Sequence, residues 1–172
     1  TQVYENEYKA DDGTVLMAER YELPMLELRT ESGELYTPAE NLTANGGAVD
    51  TSQLTAQNAF NTEMNNVLAG LQSDAAQVAS EAKELYAEGG SSAFTEGSFW
   101  TSELTMAQTY MTEGKLLSIA AEGYTYYGGV HPNSYSRAWN FDLTTGKFLT
   151  ADDLADESSR YGDASTFQRA IY

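Results

Sequence analysis

The chain has 172 residues, enough for one domain with a real core or for two small lobes sharing one. Hydrophobic content of 41% is that of a globular protein, but 26 Asp and Glu against 9 Lys and Arg leave a net charge of −17. That balance argues against nucleic acid and anionic membranes as partners and would steer a basic one. No cysteine is present, which excludes disulfides, thiol catalysis and thiolate metal sites, and no apolar run of ~18 residues spans a membrane.

The N-terminal stretch predicts a hairpin. Tyr4 to Ala10 and Thr14 to Glu22 flank Asp11-Asp12-Gly13, and Asp-Gly between two alternating runs is a strong turn signal. Val15, Met17, Tyr21 and Leu23 share one face by period two, and Glu19 interrupts that face. The aspartates lack the alternating spacing and distal Glu of a calcium loop, so they read as a turn. Pro24 marks a strand end or an edge. Leu26 and Leu28 read as a strand continued after a bulge, Ser32-Gly33 and Thr37-Pro38 as turns, and Gly46-Gly47 as a joint.

Asp50 to Tyr86 predicts one long helix. Asp50 and Gln53 resemble a capping box, and Gly89-Gly90 supplies the stop. Phe60, Met64, Val67, Leu68, Leu71, Ala75, Val78, Ala82, Leu85 and Tyr86 form one apolar stripe facing the core. Straight, this helix would run roughly 50 Å, longer than a compact domain of this size, so it should overhang, bend or break, with Gly70 the weak point.

After a Gly/Ser loop, Phe99 to Met111 alternates, with Trp100, Leu104, Met106 and Tyr110 on one side. Thr112-Glu113-Gly114-Lys115 turns the chain back through Leu117, Ile119 and Ala121 to Tyr127. Tyr135 to Leu143 forms the next strand, with Arg137, Trp139, Phe141 and Leu143 on one face. Short connections between these three strands predict an antiparallel meander. Thr150 before Asp152-Asp153 marks a helix start, and Ser165 to Tyr172 reads as a further helix. The fold class is therefore α+β: an antiparallel sheet, built of the meander and the N-terminal hairpin, with one long helix packed across it. Residues 1–98 hold the hairpin and helix, and residues 99–172 hold the meander and a helix start, as one compact unit or two packed lobes.

One block resembles a known family. Tyr124 to Tyr127 leads into Gly128-Gly129-Val130-His131-Pro132-Asn133, a strand ends in Asn140-Phe141-Asp142-Leu143, and Thr145-Gly146-Lys147 precedes Leu149-Thr150-Ala151-Asp152-Asp153-Leu154. This pattern resembles the extracytoplasmic domain of unknown function shared by PdaC-type peptidoglycan deacetylases, in their N-terminal region, and RsiV-type lysozyme-sensing anti-sigma factors. The resemblance covers roughly residues 3–158. It implies a bacterial cell-envelope protein outside the cytoplasm, with a signal, lipid anchor or membrane helix ahead of Thr1. It also implies a last Tyr- and Pro-rich strand, which either follows Tyr172 or is lacking in this member.

Few residues offer chemistry. His131 is the single histidine, and no Asp or Glu stands at helical spacing to it, so neither a metal site nor a catalytic centre is expected. Its structural reading is a ring bonded to a backbone carbonyl beside the Gly-Gly turn. Gly128-Gly129 lacks the further glycine, Lys and helix of a phosphate loop, and no serine sits in a Gly-x-Ser-x-Gly elbow. Tyr124, Tyr126, Tyr127 and Tyr135 cluster about the loop with His131, and amphipathic rings suit both sugar stacking and protein interfaces. The expectation is a non-catalytic, cofactor-free binding or sensing module whose ligand is cell-wall peptidoglycan or a basic protein such as lysozyme. The alternatives are an accessory domain of a secreted deacetylase whose catalytic part lies elsewhere, and a hydrolase using clustered carboxylates.

Overall fold

The computed structural model describes residues 1–36, 51–94 and 98–156; the turn at Thr37-Pro38, the Gly46-Gly47 joint, the Asp50 cap and the helix expected over 165–172 lie outside the described residues. Six strands form one sheet among the described residues: β1 (Gln2–Lys9), β2 (Val15–Leu23), β3 (Trp100–Thr112), β4 (Leu116–Tyr126), β5 (Asn133–Asp142) and β6 (Lys147–Leu149), side by side in chain order. The class is α+β, but the sheet is mixed, not antiparallel throughout. Met17–Tyr21 of β2 run parallel to Trp100–Leu104 of β3, while every other neighbouring pair is antiparallel.

The long helix is the reason for the parallel pair. It spans Thr51–Ala87 without interruption, α1, which at ~1.5 Å per residue is about 55 Å. Its later residues lie beside the start of β2: Ala82 packs with Leu16, and Ala75 and Ala79 with Met17. Earlier, the Tyr21 hydroxyl reaches the carbonyl of Leu71, and Asn61 meets Leu26. The helix thus carries the chain back along β2, and the next strand starts where β2 started. A parallel neighbour needs a long crossover of this kind, and a hairpin cannot supply it.

Helix length is accommodated without a break at Gly70, which faces open space. The extended segment after Pro24 prolongs the track of β2, and α1 reads it as another strand would. Asn61 accepts from the Leu26 amide at 2.8 Å and donates to its carbonyl at 3.0 Å, and Gln57 accepts from the Leu28 amide at 2.7 Å. One helical turn between Asn61 and Gln57 matches two residues of extended chain, so Leu26 and Leu28 bond to helix side chains and belong to no strand.

The core lies between α1 and one face of the sheet. Ala56, Phe60, Met64 and Leu71 pack on Tyr21, Leu23, Leu104, Leu117, Ile119, Ala121 and Phe141. The small residues Ala75, Ala79 and Ala82 let the helix end approach Leu16 and Met17. Leu85, placed on the stripe by periodicity, is exposed. A register shift between Met106 and Gln108 also moves Tyr110 off the face of Leu104 and Met106, because it pairs with Ser118 while Met106 pairs with Ala121. Beyond β5, Asp142 takes the Thr144 amide and the Thr145 hydroxyl in a tight turn, and Thr150 and Asp153 cap each other at the start of α2 (Ala151–Asp156).

Candidate functional site

Strand alternation divides the five residues expected at the site. Tyr124 stands opposite Glu103 and Ser134, on the sheet face away from α1, and is 39% exposed. Tyr126 stands opposite Thr101 on that same face, and its hydroxyl donates to the Gly129 carbonyl at 3.2 Å. Tyr127 follows the strand, 37% exposed, with its ring 6.2 Å from that of Trp100. Tyr135 is half-buried across Gly123, with the Arg137 guanidinium 5.8 Å from its ring; burial raises its pKa, and Arg137 acts in the opposite direction. His131 is exposed, its Nδ1 3.4 Å from the Pro132 carbonyl, which is a marginal bond.

Two of the five, Tyr126 and Tyr127, line a common recess of about 460 Å³. The volume falls within the ~300–1,000 Å³ of small-molecule sites. Its other walls are Phe99 and Trp100 at the start of β3, Leu85 near the end of α1, and the Gly128-Gly129 backbone. The loop closes the recess because both glycines hold positive φ, 74° and 113°, which carries the chain across the end of the sheet. Gly128 also lies directly on Trp100: a Cβ there would sit 3.0 Å from the indole Nε1. Trp100 is fixed from behind by Phe94, 5.9 Å between ring centres. Sequence alternation placed Trp100 on one side of its strand with Leu104 and Met106; its closure with Tyr127 follows from the antiparallel β3–β4 pairing, in which Thr101 stands opposite Tyr126 and the start of β3 lies beside the end of β4.

A second feature lies deeper. Glu19 is 2% exposed on the helix-facing side of β2. Its Oε1 accepts from Tyr8 at 2.9 Å, Asn6 at 3.1 Å and Tyr4 at 3.4 Å, while Oε2 is buried without a partner among the described residues. Burial, and then the bond to Glu19, pushes the Tyr8 pKa up to about 12. On the opposite face, Arg20 pairs with Glu5 and Glu22, which holds the Glu22 carboxyl below its usual range, and Lys9 pairs with Glu7. Among the described residues no three His, Asp or Glu side chains converge as a metal-binding group, and no helix is long and apolar enough to cross a membrane.

No family model matches the chain, and no curated protein matches it. Among solved structures it is similar to a DUF3298 family member from Bacteroides fragilis, at 12% identity over 93% of this chain and 65% of that one, with a TM-score of 0.47. It is also similar to a DUF3298 family protein from Pseudomonas aeruginosa, at 14% identity over 88% of this chain and 54% of that one, with a TM-score of 0.38. The chain spans less than two thirds of the length of either. DUF3298 denotes a domain of unknown function. Neither description speaks to deacetylases or anti-sigma factors, and these comparisons do not show that link.

Proposed function

We propose that this chain is a non-catalytic binding module of a bacterial cell-envelope protein, acting outside the cytoplasm on cell-wall glycan. The observation that carries the reading is the recess at the Gly-Gly loop, where Trp100, Tyr126 and Tyr127 present rings around a volume of about 460 Å³. Rings with an apolar body and a polar tip are suited to stacking on sugars while staying wet. The resemblance of the Gly128–Leu154 block supports the envelope location. Co-sedimentation with purified insoluble peptidoglycan tests it. The chain is expected in the pellet, and a Tyr126→Ala/Tyr127→Ala variant in the supernatant. Wild-type chain left in the supernatant refutes the reading.

The net charge of −17 favours a second ligand, a basic protein such as lysozyme. Specific capture should survive ~0.5 M salt, where the Debye length falls to a few ångströms. Binding lost at that salt is screened general attraction and removes this ligand.

A further inference from the structure

The recess stands apart from the rest of this acidic molecule because none of the described residues lining it is charged. Its polar groups are neutral and open. Among the described residues no hydrogen bond takes up the Trp100 indole N–H or the Tyr127 hydroxyl, whereas the Tyr126 hydroxyl is held by the Gly129 carbonyl at 3.2 Å. The indole and the Tyr127 phenol are tilted 42° to one another, forming an angled wall. Phe94 behind Trp100 and Gly128 on its edge hold that wall in place. A cationic ligand would find no described acid here, and a carboxylate would enter against the field of a chain carrying −17. What fits is an uncharged ring with one apolar face, hydroxyl edges and a strong neutral acceptor.

We propose that the recess binds a single neutral N-acetylated hexose unit, its apolar face against Trp100 and Tyr127 and its acetamido carbonyl accepting the indole N–H. The assignment rests on the glycan-binding reading above and narrows it to one sugar class and one place. Gly128 is favoured by its φ of 74° in any case, and a side chain there would in addition press on the indole nitrogen that the ligand uses.

The test uses the whole chain, labelled with ¹⁵N. The sequence has two tryptophans, so the spectrum has two indole N–H signals, and Trp139 serves as the internal reference. Trp139 stands opposite Ile119, eight residues along β4 from Tyr127, or roughly 26 Å at ~3.3 Å per residue. Titration with N-acetylglucosamine trimer is expected to move the Trp100 signal saturably and leave Trp139 in place. Cellotriose, which lacks the acetamido group, should move it at least roughly tenfold less tightly, and Tyr127→Ala should weaken the trimer by about the same factor while Trp139 reports an intact fold. A Trp100 signal unmoved by the trimer, or moved equally by both sugars, overturns the assignment. If the chain still sediments with peptidoglycan in that case, only this site falls; if it does not, the glycan reading falls with it.

Discussion

The Tyr8 hydroxyl donates to Glu19 Oε1 at 2.9 Å, diagonally across the β1–β2 pair, and joins Asn6 and Tyr4 on the same oxygen. Glu19 therefore holds β1 to β2 by side chains as well as by the strand ladder. A buried carboxylate is tolerable only with such donors. Glu19→Ala should destabilise the chain by about 3 kcal/mol, because it leaves two close donors facing a void. Glu19→Gln keeps an acceptor oxygen and should cost less. Urea denaturation of the two variants checks the order, and equal losses would mean that the accepted bonds matter little.

The same contact sets an alkaline limit. Burial first, and then donation to Glu19, raises the Tyr8 pKa from 10.0 to about 12. Burial raises Tyr21 as well, and the Ser102 contact opposes it. A raised folded pKa means that the fold favours the protonated phenol. The stability from this source is whole below pH ~10 and drains away as pH climbs toward ~12. Denaturation midpoints should fall across that window, and Tyr8→Phe should flatten the fall. A midpoint independent of pH there would contradict the buried contact.

Much of this was legible where the chemistry is local. Asp12-Gly13 forms its hairpin turn, β5 buries Phe141 on the face its alternation gave, and Thr150 caps α2. The parallel β2–β3 pairing was not legible, because it depends on the direction in which α1 travels, which no strand residue encodes. The shift past Met106 was hidden because Ala107 is neither Gly nor Pro, so nothing marked the point where Tyr110 changes face. Glu19 was visible only as an interruption, since its donors sit on another strand. The tyrosines near Gly128 looked like one cluster in sequence, yet strand alternation turns Tyr135 toward the core beside Gly123 and Tyr124 away from it, and only Tyr126 and Tyr127, at the end of β4, reach the recess.

Asn61 carries a further prediction. Its side-chain amide both accepts from and donates to the Leu26 backbone, at 2.8 and 3.0 Å, doing for that residue what a neighbouring strand would. Asn61→Ala should cost about 1–2 kcal/mol, one net hydrogen bond or slightly more, with the helix propensity of Ala acting against the loss. The loss should be local. Limited proteolysis is expected to cut within residues 24–36 sooner in the variant than in wild type, while the meander remains protected. Unchanged cleavage would show that the segment is held by its apolar contacts alone.

Gly123 and Tyr135 give the sharpest steric prediction. They are register partners on β4 and β5, and the phenol lies flat over the glycine, so a Cβ added at Gly123 would run into the Tyr135 ring. An aromatic ring covering a strand glycine supplies the packing that the glycine lacks. In Gly123→Ala the ring must swing off the sheet or the strands must part, and overpacking of this kind costs ~1–3 kcal/mol. Tyr135→Ala alone should also destabilise, by exposing β4. Combining the two should cost less than the sum of the single losses, because the alanine methyl then occupies space that the ring has vacated. Thermal unfolding of the four proteins closes the cycle; strictly additive losses would mean that the ring has room to move aside and that Gly123 is not what holds it.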